Sequence, residues 1–350
     1  MFVYVGAYTE SPAGTADGIS VYRFDPQTGA LSLSQVAVGS PNPSFLALAP
    51  DGPHLYAVSE LDAGGVRSFV RNPVTGELSA LNHQPSHGSS PCYISVDPTG
   101  RYALVANYGD GVVTALPIAA DGHVQPATSV VQQEGSSVVA GRQDGPHAHM
   151  VRTTPDGRYV LATDLGADRI FVYWLNVESG QLEPNDVGPA SAASEPGTGP
   201  RHFAFAPDGR TVYVVNELAS SLTAWAWDGE RGSLSRIQTV STLPDGFDGD
   251  NSGAEVVVSP DGRFVYASNR GHDSIAIFAA GGDGLMLVGH ESTQGKSPRG
   301  FSLDPNGSWL LAANQRSDSI VIFRRNPETG RLSATDQVVH SPTPVAIVFA

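Results

Sequence analysis

A chain of 350 residues that is 40% apolar and only 16% charged carries enough hydrophobic material for a large core and is not a disordered polymer. Its formal net charge of −15 excludes the basic face that nucleic acid or an anionic membrane requires, so neither is expected as a partner. The single cysteine, Cys92, excludes intramolecular disulfides and cysteine-rich metal sites, while 39 glycines and 26 prolines suit many short strands joined by turns.

The first ten residues, MFVYVGAYTE, read as a strand, without the basic start and apolar core of a signal peptide. No run approaches the roughly 18 apolar residues of a membrane span, and a soluble cytoplasmic protein is expected. Two more strand-like stretches follow, Ile19–Phe24 and Gly29–Leu31. At Asn42 a unit begins that recurs at Pro91, Pro146, Pro200, Gly253 and Pro298, about 50 residues apart. Each copy holds a short apolar strand, a Pro-(Asp/Thr/Asn)-Gly turn, and a second strand rich in Val, Tyr and Ala. After a polar break comes a third alternating strand, such as Ser221–Trp227 or Ser319–Phe323, and a Gly-x-Leu segment such as Gly330–Leu332 opens a fourth. Glycine tolerates the positive φ needed where the chain reverses.

Four antiparallel strands in a unit of this length form one blade of a β-propeller. The N-terminal segment supplies a second, third and fourth strand with no first, and Pro342–Phe349 supplies a first strand with nothing after it. Joined, they complete a seventh blade. The prediction is one all-β domain over 1–350, a seven-bladed propeller closed by pairing the C-terminal strand with the N-terminal blade. A (β/α) barrel is the rival, but no 3.6-period segment of helical length lies between the strands.

In a propeller the first strand of each blade lines the central channel and the second runs antiparallel beside it, so the start of one and the end of the other share a mouth. In PRHFAFAPDGRTVYVVNE (200–217), Arg201 and His202 open the first strand and Asn216 and Glu217 close the second, while Phe203 to Val215 packs blade on blade. The matching positions are His147, His149 and Asp164 in the fourth blade, Glu255 and Arg270 in the sixth, and Arg299, Gln315 and Arg316 in the seventh. The second and third blades offer milder residues, Ser44 with Glu60 and Tyr93 with Asn107 and Tyr108. Any one of these is most simply a hydrogen-bonded filler; the convergence of the set is what points to a site. Arginines around a cavity in an acidic protein suit an anionic small molecule, because guanidinium forks match carboxylate and phosphate oxygens. Histidine and glutamate beside them supply proton transfer, and the arginines an oxyanion site. Walker, Gly-x-Ser-x-Gly and His-Glu-x-x-His motifs are absent. His147 and His149 alternate by two, so on a regular strand they face opposite ways, and neither a metal nor another cofactor is expected. Either a monomer or a homodimer is compatible with these features.

GPHAH (145–149), PRHFAFAPDG, YVVNE, GAE, YASNRG and PRGFSLDPNG together resemble the lactonase-type seven-bladed propeller family over essentially the whole chain. That family includes bacterial 6-phosphogluconolactonases and fungal carboxy-cis,cis-muconate cyclases. The resemblance implies a catalytic set of His149, Arg201, Glu217 and Arg270. His147, Asp164, His202, Asn216, Glu255, Arg299 and Gln315 are then candidates for holding the substrate. The implied reaction is hydrolysis of a sugar-acid lactone, foremost the 6-phosphogluconolactone of the pentose phosphate pathway, with Glu217 or His149 activating water. The same residues would serve lactonising cyclisation of a muconate-type dicarboxylate, and a propeller can also act only as a scaffold for protein partners. A calcium-dependent six-bladed sugar lactonase is disfavoured by the repeat count.

Overall fold

The strand-turn-strand unit read from the sequence appears as seven antiparallel sheets in the computed structural model, which describes residues 1–50, 52–281 and 284–350. The fifth blade is representative. Pro200–Phe205 pairs with Thr211–Asn216, then Ser221–Asp228, then Ser233–Ser241, in order from the channel outward. Its turn holds Gly209 at φ 67°, and Asp208 Oδ1 accepts the amide of Arg210 at 2.8 Å, the local bond that makes aspartate a turn residue. The corresponding turn of the second blade contains Asp51, which lies outside the described residues. Among the described residues the only helix is the 3₁₀ turn Gln315–Ser317, which removes the (β/α) barrel.

Closure occurs where the sequence predicts it. Pro344–Phe349 pairs antiparallel with Phe2–Ala7, placing Val3 opposite Phe349 and Val5 opposite Ile347. The inner strands pack one on the next all the way around, ending with Pro344–Phe349 against Leu46–Leu48. Gly300 permits part of this approach, since a Cβ there would lie 2.3 Å from the carbonyl oxygen of Val345. The second strands are buried on both faces. Val212 and Val214 pack with the fourth blade, whereas Tyr213 and Val215 pack with the sixth, and this is why these strands read as continuous apolar runs.

The fourth blade departs from four simple strands. Its outer edge is split into Gln181–Pro184 and Ser191–Ala193, both pairing with Arg169–Asn176. Pro184 has no amide to carry the ladder further. The buried Asn185 that follows ties the interruption to the next blade, donating to the carbonyls of Arg231 and Gly232, each at 3.0 Å.

Deleting residues from Pro342 onward strips the seam of Val345, Ala346 and Ile347, all buried. The truncated protein is expected to melt about 10 °C or more below the full chain in scanning calorimetry. An unchanged melting temperature counts against seam pairing as the closure.

Candidate active site

Pro91, Pro200, Pro298 and Pro344 each open the inner strand of a blade, and in each case the strand register slips at the next residue: Cys92, Arg201, Arg299 and Val345. Proline has no amide to donate and so sits at strand starts and bulges. The fourth blade slips at His149, between Ala148 and Met150, and the sixth between Gly253 and Val256. A bulge leaves one residue outside the ladder and re-aims its side chain. These extra residues are the ones that converge on the axis, where Cys92, Arg201, Arg299 and Val345 line the channel together and His149 joins them one step higher.

At one mouth they help enclose a cavity of about 250 Å³ to which every blade contributes: Tyr8, Glu60, Cys92 with Tyr108, His149, Glu217, Arg270 and Arg299. Glu217, only 6% exposed, is its electrostatic centre. Arg142 Nη2 donates to Oε1 at 2.6 Å, while Arg201 Nε and Arg270 Nη2 approach Oε2 at 3.0 and 2.8 Å. Burial alone would raise the Glu217 pKa, but Arg270, Arg201 and Arg142 overcome it and bring it down to about 2. The carboxylate is ionised and fully engaged. Burial lowers the Arg270 pKa to about 10 against the pull of Glu217, so that guanidinium is still charged at neutral pH.

His149 is in the opposite state. Burial, followed by the nearby charges of Arg201 and His202, drives its pKa well below 6.5 and leaves a neutral imidazole. Nδ1 lies 3.6 Å from Cys92 Sγ, and Cys92 Sγ is in turn 3.4 Å from the His149 carbonyl. Burial raises the thiol pKa, so the S–H is kept and donates to that carbonyl. Nδ1 thus sits beside the sulfur, and Nε2 faces the cavity, 3.9 Å from Glu217 Oε2.

Arg299 is stacked over Tyr8 at 5.3 Å and makes no hydrogen bond to any described residue. Although burial opposes its charge, Tyr8, Glu60 and Glu217 raise its pKa above the ordinary value. Together with Arg270 it also lines an outer chamber of about 500 Å³ that holds Gln315, Arg316 and Lys296. Three guanidiniums, Arg142, Arg270 and Arg299, line the inner cavity with Glu60 and Glu217, and Arg201 lies just below it, a concentration of arginine within a chain of net −15.

Several candidates fall elsewhere. His202 lies below the cavity, where its Nδ1 meets Glu255 Oε1 at 3.0 Å and its ring packs against Phe45 and Tyr93. These rings close a waist, and Glu255, one of the two unpaired residues in the slip between Gly253 and Val256, faces a separate vestibule of about 660 Å³ at the opposite mouth. Asp164 is wholly buried and accepts the amides of His147 and Ala167, both at 2.8 Å; it shapes the backbone and does not line the cavity. Asn216 is likewise consumed, donating to Ser221 and Thr223. His147 and His149 both set their rings against Tyr108, at 4.6 and 5.4 Å, but of the two only His149 lines the cavity. His147 Nδ1 is 2.7 Å from the Tyr108 carbonyl, which makes it a support for that ring.

Arg142 is a site residue that hairpin matching could not reach. It sits in the connection 133–147 between the third and fourth blades, beside a fully buried Gln143 whose Nε2 donates to Leu165 O at 2.8 Å. The unusual length of that connection was the available signal, because long loops in compact domains are commonly functional.

The description of lactonase, 7-bladed beta-propeller, matches residues 2–349. The chain belongs to that family. It is 38% identical over 349 residues to the 6-phosphogluconolactonase of Bacillus subtilis (strain 168), with 99% of this chain and 97% of that one covered. A 6-phosphogluconolactonase of Formosa agariphila is 35% identical over 343 residues, covering 96% of this chain and 95% of the relative. The solved structure of a periplasmic gluconolactonase from Pseudomonas aeruginosa superposes with a TM-score of 0.93 at 36% identity, covering 99% and 98% of the two chains.

Because the folded pKa of Glu217 is depressed from 4.5 to about 2, its ionisation stabilises the fold above pH 4.5, and that contribution is lost as pH falls through about 2. Glu217→Gln is expected to destabilise the protein by about 3 kcal/mol at pH 7 by stranding buried guanidiniums. The gap to the wild type should close as pH drops from 4.5 towards 2, as read from denaturation midpoints. A gap independent of pH would remove the ion-pair account.

Proposed function

We propose that the protein hydrolyses an anionic sugar-acid lactone, 6-phosphogluconolactone foremost, to the open-chain acid. The observation that carries this reading is Arg299: a charged guanidinium facing the cavity without a protein acceptor, beside a neutral histidine. A partly buried charge of this kind calls for an anionic partner. The substrate's phosphate would extend towards the outer chamber of Arg299, Gln315 and Arg316, with the lactone carbonyl among Arg201, Arg270 and His149. The names of the relatives support the same substrate class.

In this mechanism His149 Nε2 takes a proton from water as the water oxygen bonds to the lactone carbonyl carbon. Arg201 and Arg270 stabilise the resulting oxyanion. The ring C–O bond then breaks, and the imidazolium returns its proton to the departing alkoxide, leaving a carboxylic acid that ionises in water. Glu217 is a poor base at a pKa of about 2; it aligns the arginines instead. No step calls for a cofactor. The cytoplasmic placement expected from the sequence goes with a phosphorylated substrate and is checked by cell fractionation.

In a coupled assay on 6-phosphogluconolactone, Arg201→Ala and Arg270→Ala should each lower kcat/KM about a hundredfold or more, and the exposed Arg210→Ala should match wild type. Equal effects from all three would dissolve the site. His149→Asn should abolish most of kcat. Since His149 titrates well below 6.5, wild-type kcat/KM should stay level from pH 8 to below 6.5 before falling. An acid limb centred at 6.5 or above would assign the base to another group. A muconate in place of the lactone is the control for the cyclising reaction.

A further inference from the structure

The cavity wall farthest from Glu217 is built differently. Glu60 comes from the second blade, nearly across the ring from the fifth. Tyr8 Oη donates to its Oε1 at 2.9 Å, and Ser44 Oγ donates to its Oε2. Ser44 and Tyr8 are only 5% and 6% exposed, so the carboxylate is pinned by two buried hydroxyls. Burial pushes the Tyr8 phenol above its ordinary pKa and keeps it a donor.

A carboxylate offers about four lone-pair sites. At Glu217 three guanidiniums engage the two oxygens. At Glu60 each oxygen has accepted one bond, and no salt bridge reaches it among the described residues. Glu60 is therefore a held, half-used acceptor in a cavity whose other polar groups are chiefly guanidinium donors. An ordinary lactone carbonyl and ring oxygen are acceptors and cannot use it. A second carboxylate would meet a like charge. A ligand bearing neighbouring hydroxyls would donate to both oxygens at once.

We propose that Glu60, held by Tyr8 and Ser44, is a hydroxyl-recognition site that selects polyhydroxylated ligands over deoxy and dicarboxylate ones. As a reading of substrate class it rests on the lactonase function above, but its test does not depend on turnover.

Gluconate and hexanoate have the same carbon count and charge and differ in hydroxyls. By titration calorimetry the wild-type protein should bind gluconate at least about tenfold more tightly, the scale of a hydrogen bond to a charged group. Glu60→Gln, which replaces an acceptor by a donor and removes the charge, should collapse that ratio towards one. Tyr8→Phe, which keeps the ring under Arg299 and removes one pin, should reduce it in the same direction and carries the test if the first variant does not fold. In turnover, the ratio of kcat/KM for glucono-δ-lactone over δ-valerolactone should fall alongside. A wild type without preference for gluconate, or folded variants that keep the wild-type ratio, would overturn the proposal. Lactonase activity with unchanged ratios would sink Glu60 alone, whereas collapsed binding ratios in a protein that opens no lactone would sink the catalytic reading alone.

Discussion

Seven inner strands must meet around one axis if the ring is to close, and the rest of the structure follows from that convergence. The last strand has to pair with the first segment of the chain, because an unpaired edge there would leave the amides and carbonyls of Phe2–Ala7 open. Crowding at the axis is severe enough that Gly300 cannot carry a Cβ without striking the Val345 carbonyl. The slips in register after the inner prolines relieve the crowding and at the same time turn Cys92, Arg201, Arg299 and Val345 into the channel. The fold and the site thus share one backbone device.

Bringing so many polar side chains out of water creates a charge problem, and Glu217 resolves most of it. One carboxylate engaged by Arg142, Arg201 and Arg270 offsets their mutual repulsion. The same contacts depress its basicity, and burial, reinforced by the charges of Arg201 and its neighbours, keeps His149 neutral. Both groups are therefore weaker bases than in water, the carboxylate because its arginine contacts favour the anion and the imidazole because burial and neighbouring positive charge disfavour the cation. Arg299 is left with its charge and no hydrogen-bond acceptor among the described residues.

The two carboxylates of the cavity illustrate how one side-chain type takes two roles. Glu217 is engaged by three cations, whereas Glu60 accepts one bond from a neutral hydroxyl at each oxygen, so the first organises charge while the second keeps acceptor capacity. The waist of Phe45, Tyr93 and His202 divides this chemistry from the opposite vestibule, which means that the channel is a pocket rather than a passage.

Repetition made the blades legible: a turn and two apolar strands recurring about every 50 residues specify one supersecondary unit, and the incomplete units at Phe2 and Pro344 specify how the ring closes. The ends of those hairpins also marked Arg201, Glu217, Arg270 and Arg299, since antiparallel pairing fixes which residues share a mouth. Depth along the channel is not legible, because strict alternation does not reveal a slip in register; hence Glu255 and His202 lie at a different level from the one expected, the Asp164 carboxylate is taken by backbone amides and the Asn216 amide by the hydroxyls of Ser221 and Thr223. Arg142 lay in a connection with no repeat to compare. Protonation states were decided by tertiary structure alone, as they depend on burial and on charges that lie far apart in sequence and meet only when the ring closes.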